Sequence, residues 1–99
     1  MERNYVIIRS DRAGVFFGEF VEKNPVGDKY SVTLKNCRRL WKWHGACSLS
    51  QLAQDGTSKP SDCMFTITVD SMEIIGVIEI IQCKKNAVKS IKSVTEWKI

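Results

Sequence analysis

The chain has 99 residues, 43% of them hydrophobic, and a formal charge of +4 from 15 lysines and arginines against 11 acids. The length suits one domain, residues 1–99, and is too short for two. The charge favours anionic partners such as nucleotides or acidic protein. It falls far short of the density found in histones, so nucleic acid is not the expected partner.

Met1 to Asn4 are followed by only four apolar residues, Tyr5–Ile8. That run is too short for a secretory signal or a membrane helix, so the expectation is a cytoplasmic protein in a reducing compartment, off the membrane. Tyr5–Ile8, β-branched and aromatic, reads as a first strand. Gly14–Val21 reads as a second, with Gly18 marking a bulge or a close approach. The turn Asn24–Asp28 leads to a half-buried strand at Tyr30–Leu34, where Tyr30, Val32 and Leu34 alternate with Ser31 and Thr33. Arg38–Trp43 reads as a short fourth strand, with Arg39, Trp41 and Trp43 on one face and Arg38, Leu40 and Lys42 on the other. Gly45 ends it. Ser48-Leu49-Ser50-Gln51 has the form of a capping box, Leu49, Leu52 and Ala53 follow at helical spacing, and Gly56 stops the helix.

After a polar loop at Gly56–Asp62, Met64–Val69 reads as a strand and Asp70-Ser71 as a turn. Met72–Ile81 is the longest apolar run, rich in β-branched residues, with Gly76 as a bulge. Its composition predicts burial on both faces, inside the domain or at a subunit contact. Ala87, Val88, Ile91 and Val94 lie at helical spacing, with Lys84, Lys85, Lys89 and Lys92 over the remaining surface. Trp97 is expected to pack down. Strands in a block without βαβ alternation predict an α+β domain. Its antiparallel sheet would have about five to six strands, with a short helix near 48–55 and a C-terminal helix near 84–94.

Catalytic patterns are absent from the sequence. One histidine excludes a multi-histidine metal site, and Cys37, Cys47, Cys63 and Cys83 contain no Cys-x-x-Cys pair, so thiols behaving as small hydrophobes are expected rather than zinc or disulfides. His44 and Cys47 are near each other only along the chain. Gly14 and Gly18 read as bulges before a phosphate cradle, and the carboxylates are scattered, with no pair marked as acid and base. The expectation is a protein that is not an enzyme and carries no cofactor. Binding chemistry is better represented. An arginine fork matches phosphate oxygens, and a tryptophan face stacks on a base for about 1–3 kcal/mol. Arg39, Trp41 and Trp43 on one face would offer both to one ligand. The alternative is that the tryptophans are core and the arginines its rim.

Several stretches resemble a family of small phage and prophage proteins known as a domain of unknown function. They are Arg12-Ala13-Gly14-Val15-Phe16-Phe17-Gly18, Val32-Thr33-Leu34-Lys35-Asn36, Arg38-Arg39-Leu40-Trp41, Ser48-Leu49-Ser50-Gln51-Leu52-Ala53, Gly56-Thr57, Lys59-Pro60, Ile78-Glu79-Ile80-Ile81 and Glu96-Trp97. Size and element order also resemble the Thoeris anti-defence sponges, phage proteins that sequester cyclic ADP-ribose isomers, and in some cases cyclic oligonucleotides, without cleaving them. Lys42 and His44 depart from the more neutral, tryptophan-rich segment expected there, which leaves the ligand open. The resemblance implies a non-enzymatic sponge for a cyclic nucleotide signal in a bacterial host cell. It adds Arg12 as a second phosphate contact and Phe65 as a further ring beside Arg39, Trp41 and Trp43. Self-association into a homo-oligomer is expected from the Met72–Ile81 run. The alternatives are a protein-interaction or virion-associated module, and a nucleic-acid binder using the lysines of the last helix.

Overall fold

The computed structural model describes residues 4–99. In chain order it contains β1 (Tyr5–Ser10), β2 (Gly14–Val26), β3 (Lys29–Lys42), α1 (Leu49–Asp55), a 3-10 turn (Pro60–Asp62), β4 (Met64–Phe65), β5 (Val69–Gln82) and α2 (Lys85–Ser93). The architecture is α+β. The strands follow the order β2-β1-β5-β3-β4, every pairing between them is antiparallel, and β2 also pairs with β3. That extra pairing closes β1, β2, β3 and β5 into a ring, which removes their free edges.

β1 sits between β2 and β5, and its two faces serve two cores. Val6 and Ile8 point into the ring with Phe16, Val32, Leu34, Cys37, Ile74 and Val77. Tyr5 and Ile7 point outward, beneath the helices, with Phe17, Leu40, Leu52, Ala53, Phe65 and Ile91. Burial on both sides explains why Tyr5–Ile8 lacks a polar alternation. Each fully buried isoleucine here contributes about 1.5–3 kcal/mol.

Two glycines allow the ring to close. At Gly18 a Cβ would stand 2.6 Å from the Cys37 Cβ, and the β2–β3 register shifts there. At Gly76, with φ +79°, a Cβ would stand 2.3 Å from an Asp11 carboxylate oxygen, so both the left-handed backbone and the space demand glycine. The α1 start is capped much as expected. The Gln51 N–H donates to the Ser48 hydroxyl at 3.1 Å, while the Gln51 side chain accepts from the Cys47 N–H at 2.8 Å, one residue before its anticipated partner. Gly56, with φ +76°, ends the helix and donates to the Leu52 carbonyl at 2.9 Å.

Four local expectations are corrected. Arg38–Trp43 is not a separate strand, because Asn36 takes a left-handed φ of 49° and lets β3 bend and continue to Lys42. Asp70-Ser71 is not a turn, because pairing of Lys35 with Ser71 and of Cys37 with Val69 carries β5 back through it, leaving β4 only two residues long. β5 is not buried on both faces within the domain. Ile74 and Val77 point into the ring, whereas Ile75 and Ile78 face outward where neither helix reaches. Trp97 is not packed down but remains half-exposed. Among the described residues, no helix is long and apolar enough to cross a membrane.

Candidate ligand-binding face

The arginine–tryptophan cluster lies at the end of β3, where residue parity decides each side chain's setting. Arg38 and Leu40 turn toward the helices, and Arg39 turns away from them. The register then slips between Leu40, opposite Phe65, and Lys42, opposite Met64. Trp41 is the extra residue in that bulge. The slip returns Trp43 to Leu40's side, where it packs half-buried against the helix-side core. Strict alternation, which would keep Trp41 and Trp43 together, therefore does not hold.

Arg38 is a buried cation, 3% exposed. Its Nε donates to the Thr66 carbonyl at 2.9 Å, one terminal nitrogen donates to Ile91 at 3.1 Å and Val94 at 2.9 Å, and the other donates to Phe65 at 2.9 Å. Two of those acceptors lie at the C-terminus of α2, the negative end of its dipole. Burial lowers the Arg38 pKa from its ordinary value, and the Glu96 charge opposes that shift. Four of its five N–H groups are taken up by backbone carbonyls of the protein, which commits the side chain to the fold.

Arg39 is set differently. Its guanidinium lies 4.6 Å from the Phe16 ring centroid and donates to the Ala13 carbonyl, in the turn between β1 and β2. It is only partly buried. Arg12 is exposed in that same turn, which the Ser10 hydroxyl holds by accepting from the Ala13 N–H at 3.1 Å. Trp41 is 63% exposed and stacks on Trp97, 48% exposed, with ring centroids 6.4 Å apart and planes 18° from parallel. The C-terminal segment that carries Trp97 is fastened to the β4 edge. The Trp97 N–H donates to the Phe65 carbonyl at 2.8 Å, and Glu96 accepts from the Thr68 N–H at 2.9 Å. That second bond comes first in holding the Glu96 carboxyl below its ordinary pKa, followed by the charges of Lys98 and Arg38.

The structure thus joins Arg39 to the Arg12 turn and Trp41 to Trp97, with Arg39 and Trp41 two residues apart on β3. It does not bring in Phe65, which is 0% exposed, its ring 5.5 Å from the Arg38 guanidinium. Phe65 is a core residue, as is most of Trp43. Trp97 is the partner that strand periodicity missed. The available signal was its being the one tryptophan outside the Trp41–Trp43 cluster.

The remaining reactive groups are dispersed. His44 meets Cys63 only through its backbone, accepting from the Cys63 thiol at 3.5 Å and donating to it at 3.4 Å. All four cysteines are free. Burial pushes the Cys83 thiol up to about 12 and raises Cys37 as well, which keeps both as neutral thiols at physiological pH. A groove of about 520 Å³ runs beside α2, lined by Tyr5, Gln82, Cys83, Val88 and Lys92 among others, and the Lys92 ammonium covers the Tyr5 ring at 4.2 Å.

A family model described as "Domain of unknown function (DUF6948)" matches residues 3–91, nearly the whole chain. The chain belongs to that family. No curated protein and no solved structure matches it. The DUF6948 match takes in all five strands, α1, Arg12, Arg39 and Trp41. It stops short of Trp97, so the stacked pair joins one ring inside the matched region to one beyond it.

Proposed function

We propose that the protein is a non-enzymatic binder of a small anionic ligand that carries a flat ring, of the cyclic nucleotide type. The observation that carries this reading is the exposed Trp41–Trp97 stack, with Trp41 two residues along β3 from Arg39. Two large rings left in solvent expose apolar surface at a cost, and a planar ligand would cover it. Arg39 and Arg12 supply guanidinium forks, the geometry that fits phosphate oxygens. One stacked base contributes about 1–3 kcal/mol, and each charge-assisted phosphate contact about 1.5–3 kcal/mol.

The resemblance to phage proteins that sequester cyclic ADP-ribose isomers or cyclic oligonucleotides supports a finer version, in which the ligand is a bacterial immune signal held intact to block anti-phage defence. Calorimetry and thermal shift against cyclic dinucleotides and cyclic ADP-ribose isomers test both. Binding at micromolar concentration is expected, with quenched tryptophan fluorescence and ligand recovered unchanged after heating. Arg39→Ala should weaken binding about tenfold to a hundredfold, with only a small drop in the melting temperature of the free protein from the lost Phe16 and Ala13 contacts. Cleaved ligand, or a panel that produces no shift, would sink the reading. The exposed Ile67 beside the Thr68–Glu96 bond favours the second reading, a protein-interaction module with the tryptophans as its hot spots.

A further inference from the structure

Two cavities flank the contact between Tyr5 and Lys92. The larger, the groove of about 520 Å³ beside α2, has Cys83, Lys85 and Val88 in its wall. The smaller, about 340 Å³, is lined by Phe17, Asn36, Arg38 and Thr68. Tyr5 and Lys92 line both, the Lys92 ammonium 4.2 Å from the Tyr5 ring centroid. Both volumes fall within the roughly 300–1,000 Å³ of small-molecule pockets. Among the described residues, three cations line the two cavities and no carboxylate does. Glu19 and Glu96 each accept a hydrogen bond from a lining residue, from the Asn36 carboxamide at 3.5 Å and from the Thr68 N–H at 2.9 Å.

We infer that these cavities form a site for a phosphomonoester with a small flat body, the phosphate beside Arg38 and the body in the larger groove. The first support is the state of Arg38. It is a cation only 3% exposed, and among the described residues no carboxylate lies within ion-pair distance of it. A buried charge held by carbonyls alone is costly, and an anion beside it lowers that cost. One of its N–H groups also has no acceptor among the described residues. It is the second on the nitrogen that donates to the Phe65 carbonyl. Lys92 is likewise without an ion pair among the described residues, and the Thr68 hydroxyl makes no hydrogen bond among them. The Arg38 N–H, the Lys92 ammonium and the Thr68 hydroxyl are three donors for the three terminal oxygens of a phosphate, where a carboxylate would use fewer. Lys92 is exposed, and its contact with the Tyr5 ring contributes about 0.5–1 kcal/mol, little enough for the side chain to swing aside as a ligand spans both cavities. Tyr5, stacked on Phe17 at 5.2 Å, then forms with Val88 and Cys83 an apolar floor for the body. None of these residues belongs to the Trp41–Trp97 stack, and the site does not depend on that reading.

Nuclear magnetic resonance on the isotope-labelled full chain, titrated with phenyl phosphate, tests the site. The backbone amide signals of Tyr5, Asn36 and Thr68 should shift together in one saturable step. Inorganic phosphate should produce the same shifts at about tenfold weaker affinity, because it leaves the apolar floor uncovered. Lys92→Gln, a change at an exposed site, should weaken phenyl phosphate binding about tenfold. Lys89→Gln removes the same charge from a part of α2 that lines neither cavity, and should bind as the wild type does. Signals unmoved at millimolar phenyl phosphate would overturn the site. Shifts centred on Arg39 and Trp41 would overturn it too, and would move the phosphate to the other face. Equal losses in Lys92→Gln and Lys89→Gln would reduce the effect to net charge and end the case for a defined site.

Discussion

The outside of the ring has two regions that begin alike and end differently. On one, Tyr5, Ile7, Phe17 and Leu40 lie beneath α1 and α2 and are almost wholly removed from water. On the other, Ile75 and Ile78 face outward and are half-exposed. The strands do not differ in kind, since both regions are apolar. What differs is whether helices have somewhere to be fastened. The covered region contains Arg38, whose guanidinium gathers carbonyls from α2 and from the segment around β4. The bare region has no such anchor among the described residues, and charged groups there pair with one another, as Lys29 does with Asp11 and Arg9 with Glu79. A helix stays on a sheet when its apolar stripe is buried and its orphan carbonyls are satisfied, and here one side chain meets the second condition.

Removing that anchor should have the largest effect. Arg38→Met keeps the bulk and discards the donors. The Phe65 and Ile91 carbonyls retain backbone donors in Trp97 and Val94, so the loss falls mainly on those of Thr66 and Val94. Two buried acceptors left unpaired, at about 1–3 kcal/mol each, predict a destabilisation of about 2–6 kcal/mol in urea unfolding. If Arg38→Met is as stable as the wild type, the fastening lies elsewhere and the contrast between the regions loses its cause.

The contrast sharpens in a matched pair of truncations. Ile7→Ala, beneath the helices, should cost about 2–5 kcal/mol. Ile75→Ala, on the bare face, should cost no more than about 0.5 kcal/mol when measured at high dilution, where association contributes nothing. Equal costs would mean that the bare face is covered after all.

Thiol chemistry reports the same division more gently. Cys83, raised to about 12 beneath the helices, should label far more slowly at pH 8 than the exposed Cys47. The sign of the linked stability follows. The unfolded thiol loses its proton first, near its ordinary 9.0, so the contribution of Cys83 is whole below that pH and lost as pH rises toward 12. Equal labelling rates would show that this side opens readily.

The smallest effect is expected at the C-terminal segment. The Thr68 N–H bond keeps the Glu96 carboxyl below its ordinary 4.5, so its contribution is present above that pH and disappears as pH falls through the lowered value. Tryptophan fluorescence should change in that range before the far-UV circular dichroism does, as Trp97 leaves Trp41. Glu96→Gln should remove this early transition. A transition that persists in the variant would assign it to another group, such as Asp11, whose carboxyl the Lys29 bond lowers in the same direction.

Much of this protein was legible in one dimension. The block of strands, the α+β class, both helices, the Ser48 cap, the Gly56 stop and the bulges at Gly18 and Gly76 all follow from local chemistry, because turn geometry, capping and side-chain period act within a few residues. The arginine–tryptophan cluster was equally visible as a concentration of residue types. What each member does was decided only in three dimensions. One bulge at Trp41 moved Trp43 into the core, one extra ring pairing made β1 two-sided, and the return of the chain end to β4 gave Trp41 its partner across 55 intervening residues. Arg38 and Arg39 differ by nothing in sequence but parity, and parity is read against neighbours that belong to distant segments. A period of two tells which residues share a face until a single bulge intervenes, and whether that face meets a helix, solvent or a ligand depends on contacts that local pattern does not encode.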